Sequence, residues 1–353
     1  MTVKQMSTSP SIKSLQILRL IAAVSVAYSH LFAEPHFGTF GVDLFFVLSG
    51  FVISLVTSSN QSVVHFAISR FSRIVPIYWL LTSILFVLIL LKPHLVAPET
   101  LDSASVSNLV KSLLFIPYQG AVGLSPILTQ GWTLNYEMLF YLAVGLSLIV
   151  TKSRYMYIAC ASLVLVFVFA FFSQDVVLKG FYGNSIILEF IMGFAGYIAY
   201  RERIWIPDSY ILNFIVAVGC YAFMTVAECL GLADNRLFWF GIPSFFLLQS
   251  ALALDRALVV SHPIVRMFTS MGDASYATYL THWYVIVFVR KILAERLGMI
   301  EFYSPLGALV TLSFVLIVGQ IIYVVLDRPL NRWVREWLSN IMASNSLKTP
   351  KTK

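Results

Sequence analysis

Residues 80–91 read LLTSILFVLILL and residues 161–172 read ASLVLVFVFAFF, and neither run contains a charged side chain. The strands of a membrane β-barrel would alternate apolar and polar residues, so continuous apolar runs of this length favour helices. A helix that crosses a bilayer needs about 20 mostly apolar residues. Both segments therefore predict helices that span a membrane.

The composition extends this interpretation to the whole chain of 353 residues, of which 59% are hydrophobic and 12% are charged. Such values exclude a water-soluble protein. The fold class predicted from them is all-α, a polytopic membrane bundle of about ten transmembrane helices. Apolar runs bounded by proline, glycine, asparagine and charge place the spans at residues 14–33, 40–57, 74–92, 133–150, 155–173, 184–200, 209–228, 236–254, 273–294 and 304–326.

The basic residues of the predicted loops indicate the orientation. Sixteen lysines and arginines fall on the side that carries both termini, against seven on the opposite side. Because cytoplasmic loops carry the excess of basic residues, both termini are predicted to be cytoplasmic. This asymmetry accounts for the net charge of +7, and no nucleic-acid partner is expected because the basic residues form no contiguous patch.

Three segments outside the spans carry predictions of their own. The connection over residues 93–132 contains VSNLVKSLLFIPYQG, whose apolar part is too short to span and predicts a partial or re-entrant helix facing outward. In residues 328–353, Trp333 and Trp337 lie among arginines, which predicts an amphipathic helix on the cytoplasmic membrane surface, followed by a disordered end. Residues 1–13 are predicted to form a cytoplasmic N-terminal segment.

The first predicted span contains two ionisable residues, Arg19 and His30. Such groups are costly inside a bilayer unless they are paired or face a cavity, so they are candidates for function. Their separation of 11 residues leaves them about 20° apart around the helix and about 16 Å apart along it. An imidazole can act as a general base or carry an acyl group. A packed, hydrogen-bonded histidine is the alternative, and the arginine on the same face favours a site.

Charged residues also accompany the next two spans. Asp43, near the outer end of the second span, is interpreted as a group that orients or charge-balances His30, or as an N-terminal charge that complements the helix dipole. Arg70 and Arg73, three residues apart on one helical face, could bind phosphate groups through bidentate hydrogen bonds. The alternative for this pair is a juxtamembrane signal that only sets the topology.

Two further spans carry polar residues. In the segment GWTLNYEMLFYL, Glu137 lies one turn into the fourth span beside Trp132 and Asn135. An acid at this depth must pair, with Arg19 or His30, or remain protonated.

The ninth span carries Ser275, Tyr279 and His282 on one helical face. His282 is a second candidate base, with an interfacial structural histidine as the alternative. The sequence has no metal-ligand spacing, phosphate loop or nucleotide-binding glycine fingerprint, so no metal is expected.

Five motifs follow one another along the chain. They are the Arg19 and His30 pair, GVDLFFVLSGFVI (41–53), RFSRIVPIYW (70–79), GWTLNYEMLFY (131–141) and GDASYATYLTHW (272–283). In this order they resemble acyltransferase family 3, the integral membrane O-acyltransferases of bacterial surface glycans. The stretches SLLFIPYQG and QGWTLNYEMLFYL are similar in particular to the exopolysaccharide acetyltransferases within that family.

The resemblance implies a ten-helix bundle that takes an acyl group, usually acetyl, from cytoplasmic acyl-CoA and passes it to a glycan hydroxyl. By this resemblance Arg19 and His30 form the motif pair of the first helix. Arg70 and Arg73 are the family's arginine pair, and Glu137 is the acid of its tryptophan-containing motif.

The resemblance also implies an acyltransferase transmembrane domain over residues 14–327 of an inner (plasma) membrane, multi-pass protein. The expected donor is acyl-CoA, with acetyl-CoA as the first choice. The expected partners are a glycan or lipid-linked glycan acceptor, membrane lipids and polysaccharide biosynthesis proteins. His30 is expected to deprotonate the acceptor hydroxyl or to carry the acyl group briefly, with Asp43 or Glu137 tuning it.

Two other classes of protein remain open from the sequence. A transporter or flippase of a lipid-linked glycan would line its substrate path with the same buried residues. Against this class, the chain shows no inverted repeat. A scaffold subunit of a polysaccharide export complex would not need titratable residues on shared helix faces.

Overall fold

A computed structural model describes residues 12–32, 37–57, 62–93, 101, 104–120, 123–204, 208–259 and 261–346. Within these ranges the regular structure is helical, and one isolated bridge joins Gly120 and Gly123. The all-α prediction is therefore confirmed. Most of the predicted N-terminal segment, residues 1–11, and the end of the predicted tail, residues 347–353, lie outside the described residues.

Thirteen α-helices occur in the described residues, and one of them coincides with each of the ten predicted spans. In chain order they are α1 Lys13–Ser29, α2 Gly41–Thr57, α3 Val63–Leu91, α4 Val106–Leu113, α5 Trp132–Val150, α6 Tyr155–Phe171, α7 Glu189–Arg201, α8 Tyr210–Cys229, α9 Ile242–Leu254, α10 Pro263–Asp273, α11 Ser275–Phe288, α12 Pro305–Ile322 and α13 Arg328–Ser346. Helix α4 lies in the predicted outward connection, and α10 and α13 lie at the ends of spans.

Five helical stretches are long and apolar enough to cross a membrane by length and composition. They are Val63–Leu91, Thr129–Val150, Tyr210–Cys229, Leu237–Ala257 and Pro305–Ser344, and shorter apolar helices cover Gly41–Thr57 and Tyr155–Phe171. Many large apolar side chains on these helices are exposed, as expected for a surface that faces lipid rather than water. The chain is a membrane protein, and ten crossings with both termini in the cytoplasm stay a prediction.

Helix α3 begins earlier than the predicted third span. Ser62 caps it by accepting a hydrogen bond from the His65 amide at 3.1 Å, as serine commonly does at helix N-termini. The helix then continues through Pro76 to its end. Arg70 and Arg73 therefore lie inside a regular helix, whereas the sequence placed them just before it.

Helices α2 and α7 pack closely against each other through two glycines. A Cβ on Gly50 would lie 2.2 Å from the Phe190 carbonyl oxygen, and a Cβ on Gly193 would lie 2.2 Å from the Val47 carbonyl oxygen. Small residues of this kind let helix backbones approach closely in membrane proteins. Gly50 therefore acts as a packing residue between these two helices. The pairing fixes α2, which carries Asp43 and Ser49, against the rest of the bundle.

Candidate active site

A cavity of about 310 Å³, here called the central cavity, lies between α1, α2, α3, α5 and α11. Most of its wall is apolar. Its ionisable side chains are Arg19, Arg70, Arg73 and Glu137, besides the hydroxyls of tyrosines. Four residues singled out in the sequence, from three different helices, thus meet in one enclosed space.

Two hydroxyl groups donate hydrogen bonds to the Glu137 carboxylate. The Tyr141 hydroxyl, one helical turn away, donates a hydrogen bond to Glu137 Oε1, and Ser49 Oγ on α2 donates to the same oxygen at 3.3 Å. These two donors take the place of the expected pairing with Arg19 or His30. The carboxylate is therefore held in position while the arginines of the cavity are left able to bind a ligand.

Arg19 is anchored to the ninth predicted span. Its Nε donates to Ser275 Oγ at 3.2 Å, which joins α1 to the start of α11. Serine supplies a single neutral acceptor, so most of the guanidinium hydrogen-bonding capacity is not used by this contact. Ser275 therefore contacts the Arg19 side chain directly.

Arg70 and Arg73 both line the central cavity, which confirms that they share a helix face. Arg70 Nη2 donates to Ser69 Oγ at 3.1 Å, and its Cζ lies 6.0 Å from the centre of the Tyr141 ring. The buried Nε of Arg70 has no hydrogen-bond partner within the described part of the chain. A buried donor without a partner is costly, so this nitrogen is a candidate contact for a bound ligand.

A second cavity of about 290 Å³, here called the basic cavity, adjoins the central cavity at the end of the bundle where α1 begins. The two cavities share the side chains of Gln16, Arg19, Arg73 and Tyr276. The remaining wall of the basic cavity consists of Asp273, Tyr323, Asp327, Arg328, Asn331, Arg332 and Arg335. Sequence reasoning missed the three arginines of α13, because they were interpreted as part of a surface helix.

The two candidate bases lie together at the opposite end of α1. The rings of His30 and His282 stack with centroids 5.3 Å apart, and Trp283 contacts His30 edge-on at 5.4 Å. His30 is exposed, whereas His282 is buried. The His282 Nδ1 atom lies 2.5 Å from the Tyr279 carbonyl oxygen, and its buried Nε2 has no partner among the described residues. The Nδ1 contact favours the tautomer in which Nε2 is free to accept a proton.

Tyr279 lies between the central cavity and the histidine pair. Its side chain lines the cavity, and its ring centroid is 5.7 Å from that of His282. The Tyr279 hydroxyl accepts from Thr133 Oγ1 at 3.0 Å and donates to the Gln130 carbonyl oxygen at 3.2 Å. A series of polar groups therefore leads from the basic cavity through the central cavity towards His30.

A family model described as an acyltransferase domain matches residues 12–325, nearly the whole chain. The chain belongs to acyltransferase family 3. The exopolysaccharide production protein ExoZ of Rhizobium meliloti strain 1021 is 32% identical over 307 residues, which cover 84% of this chain and 90% of that protein. This acyltransferase is thus an enzyme, and the resemblance inferred from its five motifs is confirmed.

More distant relatives share the same domain. The acyltransferase MdmB of Streptomyces mycarofaciens is 25% identical over 90% of this chain and 91% of its own length. The O-acetyltransferase OatA of Staphylococcus aureus strain NCTC 8325 is 23% identical over 94% of this chain and 59% of its own length. No solved structure matches the acyltransferase chain.

Asp43 of this acyltransferase lies in the first turn of α2, where its charge complements the helix dipole, as the second of its two interpretations expects. Arg236, at the start of a π-helical turn before α9, donates from Nε to Asp43 Oδ1 at 3.1 Å and from Nη2 to Oδ2. Asp43 is fully buried, and this ion pair replaces the expected contact with His30. Glu189 is fully buried and lies beside the pair, with its carboxyl group next to that of Asp43.

No sequence signal singled out Arg236, because it is the first residue of the predicted eighth span, at the membrane boundary, where a charge costs little. Glu189 did carry a signal, because it is an acid within an apolar span, and sequence reasoning missed it.

Trp132 and Asn135 are not among the residues that line either acyltransferase cavity. Trp132 contacts the Tyr136 ring at 6.0 Å. Asn135 is buried, and its amide atoms have no partner within the described residues. Among those residues, no group of three histidine, cysteine or acidic side chains is placed to hold a metal ion.

Proposed function

We propose that this acyltransferase transfers an acyl group, with acetyl as the first choice, from acyl-CoA to a hydroxyl of a cell-surface or exopolysaccharide glycan. The observation that carries the proposal is the central cavity, in which Arg19, Arg70, Arg73 and Glu137 meet inside a membrane bundle of this family. The names of two relatives, an exopolysaccharide production protein and an O-acetyltransferase, support a glycan acceptor and an acetyl group.

The donor enters from the end of the bundle where α1 begins, which the basic residues predict to be cytoplasmic. Arg70 and Arg73 line the cavity with guanidinium groups that suit phosphate or carbonyl oxygens. Arg19 stands at the junction of the two cavities, where it can hold a donor that passes from one to the other.

The acceptor is engaged at the opposite end, where His30 is exposed. In one route His30 removes the proton of the acceptor hydroxyl, the oxygen attacks the thioester carbonyl, the carbon–sulfur bond breaks, and the thiolate leaves with a proton returned from the imidazolium. In the other route the imidazole nitrogen attacks the thioester carbonyl, the carbon–sulfur bond breaks, and CoA leaves as the thiol with the proton lost by the imidazole. The acceptor hydroxyl then attacks the acyl-imidazole, the carbon–nitrogen bond breaks, and the proton of the hydroxyl returns to the imidazole nitrogen. His282 supports either route by stacking against His30 with its Nε2 available.

The other candidate residues take secondary roles in this proposal. Ser275 orients Arg19, and Tyr279 separates the donor cavity from the histidines. Asp43 helps to fix the position of α2 in the bundle. Trp132 and Asn135 support the helix that carries Glu137 into the central cavity. The enzyme works as a multi-pass protein of the inner membrane, beside membrane lipids and the proteins that build the polysaccharide.

The test compares strains that carry the wild-type gene, a deletion, Arg19→Gln or His30→Ala. We expect each change to remove O-acyl groups from the glycan while the yield of polymer stays the same. Unchanged acylation together with lost export would contradict the proposal and favour a transporter or flippase of a lipid-linked glycan.

A second measurement separates the two routes. The purified enzyme is mixed with labelled acetyl-CoA in the absence of acceptor, and His30→Ala serves as the control. A label that stays on the wild-type protein and is absent from the variant indicates an acyl carrier, and a label on neither indicates a base.

A further inference from the structure

Three arginines of helix α13 line the mouth of a cavity in the bundle, where Arg328 and Arg332 are exposed and Arg335 is half-buried, and the two tryptophans of this helix lie on another face. Arg328, Arg332 and Arg335 are separated by four and three residues, so they share one helix face, and all three line the basic cavity. Trp333 and Trp337 are exposed and stack with ring centroids 6.3 Å apart. A helix that only rested on the membrane surface would not need its arginines along the rim of a cavity in the protein.

The position of α13 is fixed by its neighbours. It follows α12 directly through the π-helical segment Tyr323–Asp327, and it packs against α3. At this contact Arg335 Nη2 lies 3.5 Å from His65 Nε2. The arginine face of α13 is thus held opposite the part of α3 that carries Arg73.

The basic cavity carries an excess of positive charge. Five arginines line it, whereas its acidic residues are Asp273 and Asp327, which leaves three positive charges without a counterpart in the lining. Asn331 adds an amide to the same wall. A concave site with several converging guanidinium groups attracts polyanions, and phosphate groups match the guanidinium geometry best.

The two cavities together fit a ligand with two chemically different ends. A polyanionic end would occupy the basic cavity, and an uncharged arm would pass Arg19 and Arg73 into the mostly apolar central cavity. Acyl-CoA has this division, since its phosphates are on the nucleotide and its thioester is at the end of the pantetheine arm. Along α1, the distance from Arg19 to His30 is about 16 Å, so a long arm is needed to bring a thioester towards the histidines.

We propose that Arg328, Arg332 and Arg335 bind the phosphates at the nucleotide end of the donor, so that the C-terminal helix is a part of the donor site. This inference rests on the proposed function, because it takes acyl-CoA as the donor. In this arrangement Arg73 contacts the donor between its two ends, and Arg70, which lines only the central cavity, faces the pantetheine arm.

The test measures equilibrium binding of CoA to the full chain in phosphatidylcholine nanodiscs. The variants are Arg332→Gln, Arg335→Gln and the double change, with Arg154→Gln as the control, because Arg154 is exposed and lines neither cavity. We expect each single change to weaken CoA binding about tenfold and the double change to weaken it further, since each removes a charged hydrogen bond. Arg332→Lys retains the charge and should recover part of the affinity, and thermal unfolding of each variant confirms that it is folded.

Three other results would each overturn the role proposed for α13, and the experiment distinguishes them from one another. If the wild type and the control bind CoA and the folded arginine variants bind it equally well, the proposal is overturned while acyl-CoA remains the donor. If the variants differ from wild type only in nanodiscs that contain phosphatidylglycerol, the arginines bind anionic lipid, and the proposal is again overturned. If the wild type itself does not bind CoA, the proposed donor is wrong, and the role given to α13 is lost with it.

Discussion

Glu137 supplies the negative charge among the arginines of the central cavity, and its position is set by the Tyr141 and Ser49 hydroxyls. Both hydroxyls donate to the same carboxylate oxygen, which fixes the orientation of the side chain. A carboxylate held in this way can receive a proton or balance the charge of a bound donor without moving.

The first prediction concerns that charge. Glu137→Gln keeps the shape of the side chain and an acceptor for the two hydroxyls, but it leaves three arginines without their carboxylate. We expect a loss of acyl transfer of about 100-fold or more, in line with the removal of a group that stabilises charge in a transition state. The measurement is acyl transfer by the purified enzyme, with the thermal unfolding midpoint as the check on folding. Activity within twofold of wild type would show that the charge of Glu137 is not used.

The second prediction concerns the buried ion pair of Asp43 and Arg236. Arg236→Gln leaves the fully buried Asp43 carboxylate without its counter-charge, and the expected destabilisation is about 3–5 kcal/mol. Thermal or denaturant unfolding in detergent measures it. The matched control is Arg201→Gln, because Arg201 pairs with Glu202 at the surface, where an ion pair contributes about 0–1 kcal/mol.

The double change Asp43→Asn with Arg236→Gln tests the cause of that destabilisation. Removing both charges eliminates the uncompensated carboxylate, so part of the lost stability should return. If the double variant is less stable than Arg236→Gln alone, the ion pair is not the reason for the effect.

At the scale of helices, the contact between α2 and α7 depends on two glycines that face each other. The third prediction is that Gly193→Ala separates these helices, because the new Cβ would lie 2.2 Å from the Val47 carbonyl oxygen and 2.6 Å from the Gly50 Cα. Backbone atoms cannot rotate away as a flexible side chain can, so we expect a lower unfolding temperature and a lower yield of folded protein.

Gly219→Ala is the control for that change. Gly219 lies within α8, and nothing is within 4 Å of the position that its Cβ would take. Alanine in a helix interior is favoured over glycine by about 1 kcal/mol, so this variant should be as stable as wild type or more stable. Equal destabilisation by the two alanines would mean that the close approach of α2 and α7 is not limiting.

Part of the site could be predicted from the sequence because ionisable residues inside apolar segments are expensive. Arg19 and Glu137 were identified as candidates because they lie inside apolar segments, and Arg70 and Arg73 because their spacing puts them on one helix face. All four line the central cavity. The sequence marked Ser275 as part of a polar face but did not predict its contact with Arg19, and it did not mark Ser49 or Tyr141, since such residues are ordinary in membrane helices.

The residues of the site that the sequence did not indicate lie at or beyond the ends of the predicted spans. A charged side chain there does not pay the free-energy cost of being inside the bilayer. Arg236 is the first residue of a predicted span, at the membrane boundary, and its partner Asp43 is 193 residues away along the chain. The arginines of α13 follow the last predicted span, and local pattern alone could not distinguish a helix facing lipid headgroups from one facing a cavity. The pairing of Asp43 with Arg236 and the placement of the α13 arginines both depend on packing between residues far apart in the chain. The periodicity of a single helix does not predict such packing.

For the whole molecule, the fourth prediction concerns orientation. In a background without the three natural cysteines, Lys179→Cys should react with a membrane-impermeant thiol reagent in intact cells whose outer barrier is opened. Arg154→Cys should react only after the inner membrane is permeabilised, because its loop is predicted to be cytoplasmic. Both positions are exposed, so each can be labelled. The reverse pattern would place the basic cavity outside the cell and exclude cytoplasmic acyl-CoA as the donor.

The position of Tyr279 has a consequence for the cell that carries this enzyme. A transferase that admits its donor from one side of a membrane and its acceptor from the other cannot leave a continuous water column between them, because protons would leak and the energised state of the membrane would collapse. The hydrogen-bonded contact of Tyr279 with Thr133 and Gln130 lies across that route. The bilayer can thus remain electrically sealed while the chemistry of acyl transfer passes through it.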